Sequence, residues 1–286
     1  MAWTIAVRQR LLRFIRLAQC NRIPFELGAG TVAQSVEWGH IYEYLTTFGT
    51  DRIVAGDFGK FDKRMGSSFI LYAYWIIVQF AQKAGMADEE IQQIWCIAED
   101  TAFAFTNFNG DLIMFLGSNP SGHPLTVIVN SLVNSLYMRY VYRQVAPSSE
   151  KDCFKQNVHL YTYGDDNIMG VRRGCDWFNH TVIAAKLAEI GVEYTMADKE
   201  SESVPYVDIS DASFLKRKWR FDEEVGAMLA PLEEASIESS LSVGILSKHM
   251  TKEAHAVAVL QGALNEYFFY GRDVFERKRA MFEEIS

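Results

Sequence analysis

The chain alternates between apolar positions at helical spacing and short β-branched runs that stop at acidic residues. Residues 4–19 set Ile5, Leu11, Leu12, Ile15 and Leu17 among arginines, which predicts an amphipathic helix. Residues 35–48 predict a second helix, with Ser35 as its cap. Arg52-Ile53-Val54-Ala55-Gly56-Asp57 predicts a buried strand ending at Asp57. A long helix over 63–85, closed by Gly85, and another over 87–100 follow. Two apolar runs flank Asn109-Gly110, a strong turn signal, and predict a hairpin over 102–116.

A loop of small residues, 117–124, leads into an apolar helix over 125–144. Val158 to Tyr163 and Asn167 to Val171 predict a second hairpin with Gly164-Asp165-Asp166 at its tip. A helix over 175–190, a short strand over 192–195 and a hairpin strand over Ser213–Phe221 come next, and 236–283 reads as mainly helical. This order predicts an α+β fold, an antiparallel sheet with helices on one face.

The 286 residues, 49% of them hydrophobic, suffice for a sizeable core. The run from Phe69 to Val78 is too short to span a bilayer, so no transmembrane segment is expected. Cys20, Cys96, Cys153 and Cys175 lack zinc-ligand or redox spacing and are expected to be reduced, partly buried thiols. A formal charge of −8 counts against nucleic-acid binding. Metal-chelating carboxylates add negative charge by design, however. The basic residues also cluster, at Arg8, Arg10, Arg13, Arg16 and Arg22 and at Lys216, Arg217, Lys218 and Arg220. Ordinary solvated faces are the plain alternative for both clusters.

The chemistry centres on acidic residues. Asp165 and Asp166 sit side by side at a hairpin tip, where they repel unless a cation neutralises them. As a bare dipeptide this is a common solvated turn, but Tyr161, Tyr163, Ile168 and Met169 anchor it in sheet-like sequence. Asp57 ends a predicted strand that can lie beside this tip. Three such carboxylates can hold two cations about 3.5–4 Å apart, as in-line phosphoryl displacement requires. Oxygen ligands suit Mg²⁺ or Mn²⁺. Asp62, five residues after Asp57, is either part of this set or a helix cap. Gly122, Thr126 and Asn130 lie in and after the small-residue loop, with Thr126 and Asn130 on one helical face. Such a surface can bind a ribose; the alternative is a loop before a buried helix. Asp57-Phe58-Gly59 matches a kinase triplet, but no His-Arg-Asp loop, glycine-rich loop or P-loop accompanies it.

Taken in order, these motifs resemble those of picornavirus-like RNA-dependent RNA polymerases. Asp57 to Asp62 is similar to motif A, Ser121-Gly122 through Thr126 and Asn130 to motif B, and Tyr163-Gly164-Asp165-Asp166 to motif C. Ala197-Asp198-Lys199 resembles the end of motif D, Phe214-Leu215-Lys216-Arg217 resembles motif E, and Ala230-Pro231-Leu232 resembles the opening of the thumb. The neighbouring sequence is similar to insect and marine picorna-like viruses.

The resemblance implies a polymerase palm with Asp57, Asp165 and Asp166 holding two Mg²⁺ or Mn²⁺ ions. It implies Lys199 as the acid that protonates pyrophosphate. Asp62, Ser121, Gly122, Thr126 and Asn130 would form the ribose site, and Lys216 and Arg217 would contact the RNA primer. Template and primer RNA, NTPs and other viral replication proteins are the implied partners, and replication complexes in the host cytoplasm the implied location. The expected division is partial fingers over 1–50, palm over 51–230 with an inserted fingers segment near 86–118, and partial thumb over 231–286. The likeness runs over about 20–235. A basic motif F is expected to precede residue 1, and the segment after 235 is short for a thumb, so the chain is expected to lack part of the polymerase at both ends. A reverse transcriptase also carries Asp-Asp at a palm hairpin, but the Ser121, Thr126, Asn130 and Asp62 set points to RNA synthesis. A non-catalytic RNA-binding module is the rival from another class.

Overall fold

The computed structural model describes residues 2–119, 122, 124–197, 201–244 and 250–285. Ser121 and Lys199 lie outside the described residues.

Helix α1 (Ala2–Cys20) is amphipathic and buries Val7, Leu11 and Phe14. The single turn α2 (Arg22–Phe25) and helix α3 (Glu37–Leu45) follow, the latter running into a 3₁₀ turn over Thr46–Phe48. Ser35 lies one residue before the helix cap position, Val36; its Oγ donates to the Val32 carbonyl and accepts from the Glu37 N–H. Strand β1 (Ile53–Phe58) runs one residue past Asp57.

The predicted long helix is broken. A single turn, α4 (Phe61–Arg64), is separated from α5 (Ser67–Lys83) by extended backbone at Met65 and Gly66. The Met65 side chain is buried there, and the Gly66 N–H donates to the Tyr137 hydroxyl. Helix α6 (Asp88–Ala102) has an acidic first turn, which the helix dipole favours. The hairpin β2 (Phe105–Phe108) and β3 (Asp111–Met114) is exposed along both strands.

Helix α7 (Thr126–Val145) is buried along most of its first half, and the turn α8 (Phe154–Asn157) precedes the central hairpin, β4 (Val158–Tyr163) and β5 (Asp166–Val171). Helix α9 (His180–Ala188) starts five residues later than the pattern predicts, and the side chain of Asn179 before it accepts from the Val182 N–H as its cap. Strands β6 (Tyr194–Met196), β7 (Arg220–Asp222) and β8 (Ala227–Leu229) are short, and helices α10 (Glu234–Ser242), α11 (Lys252–Tyr267) and α12 (Arg272–Ile285) complete the chain.

Four strands form the central sheet in the order β4-β5-β1-β6, and every pairing is antiparallel. Period-two alternation splits their side chains between two cores. Val54, Phe58, Leu160 and Met169 face the main helical layer, with residues of α1, α5, α6, α7 and α9. Ile53, Ala55, Tyr161 and Ile168 face α3 and the segment around Ile209–Ala230, where Trp38 stacks on Trp219 at 4.9 Å. A third, small core joins α10, α11 and α12 through Ile237, Ala263, Tyr267 and Phe282. Among the described residues, no helix is long and apolar enough to cross a membrane. The cysteines form no disulfide; Cys20 and Cys96 are exposed rather than partly buried, because they occupy outward positions of α1 and α6.

Candidate active site

The antiparallel register builds the site. Strand β1 pairs with β5 as far as Gly56↔Asn167, so one step further Asp57 stands beside Asp166. Strand β4 closes on β5 at Tyr163↔Asp166, which leaves Gly164 and Asp165 as the two turn residues. Gly164 has φ +67, the left-handed value that a tight hairpin takes at its first turn position and that glycine adopts without a Cβ penalty.

The carboxylates line one cleft of about 400 Å³. Asp57, Asp62, Asp165, Asp166 and Lys216 all border it, with Phe58, Phe61 and Phe214 as apolar walls. Asp57 and Asp166 are half-buried and Asp165 is exposed. Among the described residues, no group of three or more His, Cys, Asp and Glu side chains forms a ready metal cage. The donor chemistry still fits Mg²⁺ or Mn²⁺: an all-oxygen carboxylate set on an open cleft leaves coordination positions for water and phosphate.

Close packing fixes β1 under the cleft. A Cβ on Gly56 would lie 2.2 Å from the Tyr194 ring, so only glycine lets β6 close over this point. The Tyr194 hydroxyl donates to Asn167 Oδ1 at 2.7 Å. Burial pushes that hydroxyl far above the ordinary phenol range, outweighing this bond, and the Asp57 carboxylate adds to the rise.

The predicted ribose residues Asp62, Thr126 and Asn130 fall on two elements that one further residue joins, through its backbone to one and its side chain to the other. Asp62 lies in α4, while Thr126 and the buried Asn130 lie on α7. Asn119, which the sequence pattern did not single out, donates its backbone N–H to the Asp62 carbonyl at 2.9 Å. Its Nδ2 donates to Asn130 Oδ1 at 2.7 Å and reaches the Thr126 carbonyl at 3.5 Å. Gly122 is exposed, with φ +100.

Lys216 and Arg217 separate. Phe214 and Arg217 exchange both backbone bonds at 3.0 Å, and Leu215 and Lys216 between them have φ +55 and +58. Positive φ at both central positions is a type I′ turn, here without its usual Asn or Gly. The turn leaves Lys216 exposed, bordering the cleft and an adjoining groove that Lys218 also lines. Arg217 points inward instead: its guanidinium donates to Glu266 at 2.7 and 2.9 Å and to the Ala230 carbonyl at 2.7 Å. Buried and occupied on both terminal nitrogens, it ties the sheet region to α11.

The sequence pattern does not single out Ser131 and Asn134 either. Both reach from α7 to the Gly164–Asp166 backbone. The available signal was Asn134 four residues after Asn130, which puts two amides on one face of an apolar helix.

Fold and site together define a nucleic-acid polymerase palm. The family model for viral RNA-dependent RNA polymerases matches residues 3–265, and the chain belongs to that family. It is 29% identical over 290 residues to the replicase polyprotein of Drosophila C virus (strain EB), covering 97% of this chain and 16% of that polyprotein. It is 28% identical over 298 residues to the replicase polyprotein of Cricket paralysis virus, covering 99% and 16%. The RNA1 polyprotein of Raspberry ringspot virus (strain cherry) is 30% identical over 282 residues, covering 96% and 12%. The chain therefore spans about a sixth or less of these curated relatives. A solved Sicinivirus 3Dpol RNA dependent RNA polymerase shares the fold with a TM-score of 0.67 at 16% identity, over 89% of this chain and 50% of that one. The matches to insect-virus replicases bear out the resemblance read from the motifs.

Proposed function

We propose that this chain carries the nucleotidyl-transfer centre of an RNA-directed RNA polymerase, acting on NTPs in viral RNA replication. The observation that carries this reading is the single cleft bordered by Asp57, Asp62, Asp165, Asp166 and Lys216. Asp57, Asp165 and Asp166 would hold two Mg²⁺ or Mn²⁺ ions. When bound, such ions lower the pKa of an attacking hydroxyl and stabilise charge on the phosphates. The chain's own residues do the rest. Asp62, Thr126 and Asn130, with Ser121 and Gly122, bind the ribose, whose 2′-hydroxyl distinguishes NTP from dNTP. Lys199 is the proposed acid toward pyrophosphate. Lys216 and Lys218 hold primer phosphate by charge.

The domain reading follows the same lines: fingers over 1–50 and about 86–118, palm over 51–230, thumb over 231–286. Template and primer RNA and other viral replication proteins are the proposed partners, at replication complexes in the host cytoplasm. RNA-templated primer extension with NTPs against dNTPs tests the substrate class. Strong preference for NTPs is expected, and equal use of dNTPs would favour the reverse-transcriptase reading. RNA retention without incorporation would favour the binding module.

A further inference from the structure

The turn that carries Asp165 and Asp166 is held from beneath by α7 as well as by its own strands. Ser131 Oγ accepts from the Gly164 N–H at 2.8 Å. Asn134 Nδ2 donates toward the carbonyls of Gly164, Asp165 and Asp166, at 3.2, 2.9 and 3.4 Å. Two N–H bonds thus serve three consecutive carbonyls. Asn134 is fully buried, and its Oδ1 has no hydrogen-bond partner among the described residues. A buried acceptor left unmade costs stability, which the donations of the same amide to the three carbonyls offset.

Tyr163↔Asp166 already closes the ladder, and Gly164 supplies the turn conformation. What the α7 contacts add is orientation. They fix the peptide planes of residues 164–166, and therefore the directions in which the Asp165 and Asp166 carboxylates leave the backbone. Asn130, immediately before Ser131 on the same helix, belongs to the proposed ribose site. One rigid element thus presents both the ribose site and the support of the carboxylate turn.

We propose that Ser131 and Asn134 are positioning residues that hold the Asp165-Asp166 carboxylates in the geometry that takes up a divalent cation. This rests on reading that turn as ion-holding. Outer-shell partners of this kind typically change metal affinity by about 10–100-fold when removed.

The test has two readouts on the 286-residue chain. The first is amide hydrogen exchange at Gly164, Asp165 and Asp166. Ser131→Ala is expected to speed exchange at Gly164 by about tenfold or more, with Ser131→Thr, which keeps the hydroxyl, at the parent rate. The second is Mn²⁺ uptake followed by electron paramagnetic resonance, with Asp165→Ala as the control. Asn134→Ala and Ser131→Ala are expected to raise half-saturating Mn²⁺ by about tenfold, and Ser131→Thr to restore it. Should Asn134→Ala not fold, as a thermal melt would reveal, the two Ser131 variants decide the matter. Parent-like Mn²⁺ affinity in the folded Ser131→Ala protein overturns the positioning role. A parent indistinguishable from Asp165→Ala overturns the ion-holding reading itself, and the exchange readout then still decides whether α7 restrains the turn.

Discussion

The Asn119 Nδ2 donates to Asn130 Oδ1 at 2.7 Å, and this bond decides which way the Asn130 amide faces. The Thr126 carbonyl near the same Asn119 nitrogen can only accept, so the Asn119 group there is its NH₂. Asn130 must then offer its oxygen to Asn119, so the group it would offer a ribose is its NH₂ donor. Asn119→Ala is expected to lower the preference for NTP over dNTP by about tenfold and to cost about 1–3 kcal/mol of stability, since Asn130 Oδ1 loses its partner. Competitive NTP and dNTP incorporation and thermal melts measure the two effects. Unchanged discrimination in a folded variant would remove Asn119 from the ribose site.

The Leu215-Lys216 turn pairs a strained backbone with an exposed cation. Lys216→Gly relieves one left-handed residue, worth roughly 1–2 kcal/mol in the folded state, against about 0.5–1 kcal/mol of added chain entropy when unfolded. Stability is therefore expected to stay level or rise slightly. RNA affinity is expected to fall about equally for all sequences, with the salt-dependence slope reduced by about one charge. Binding titrations at several salt concentrations check this, and a parent-like slope would place Lys216 away from the RNA.

The Arg217–Glu266 pair predicts a pH dependence. Burial alone would raise the Glu266 carboxyl, but the Arg217 hydrogen bonds and charge outweigh it, with help from Gln34, and the net shift is downward. A folded-state pKa below the unfolded one gives stability that is fully present above the unfolded value, about 4.3. That stability is lost as the pH falls through the folded value. Glu266→Gln is expected to be less stable than the parent by about 3 kcal/mol at neutral pH and to lose less on acidification. Parallel stability curves from neutral pH to below the carboxylate range would contradict the assignment.

Gly56 and Tyr194 are coupled by contact. Gly56→Ala puts a methyl 2.2 Å from the Tyr194 ring carbon that bears the hydroxyl and is expected to cost about 1–3 kcal/mol, or more if β6 cannot shift. Tyr194→Leu in the same chain removes the clash, so the double variant should be more stable than the sum of the singles. Additivity within about 0.5 kcal/mol would show that the sheet relaxes without the ring moving.

The carboxylate frame was legible in sequence because it follows from simple rules. Alternation and β-branching locate β1, β4 and β5, and antiparallel pairing brings a strand-end Asp beside a turn Asp. Other features had no local signature. The break at Met65-Gly66 comes from burial of Met65 and a bond to Tyr137, which lies on α7 far along the chain. The turn at Leu215-Lys216 lacks the Asn-Gly signal of its type and is imposed by the paired bonds of Phe214 and Arg217. The basic run around Lys216 does not say which side chains face outward, and Glu266, some fifty residues later, draws Arg217 inward. Asn119 and Ser131 are common residue types with no such signature, and Asn134 had only its spacing from Asn130 to mark it.

The Asp57, Asp165 and Asp166 cleft is proposed to perform RNA-templated nucleotidyl transfer. RNA-templated primer extension with Mg²⁺ tests it most directly, on this chain and on a longer replicase product that contains it, each with and without Asp165→Ala. Incorporation by the parent is expected in at least one of the two, with a fall of about a thousandfold or more in Asp165→Ala, as loss of a charge-stabilising ligand at the reacting phosphate implies. Equal incorporation by parent and variant, or none by the parent in either form, would contradict it.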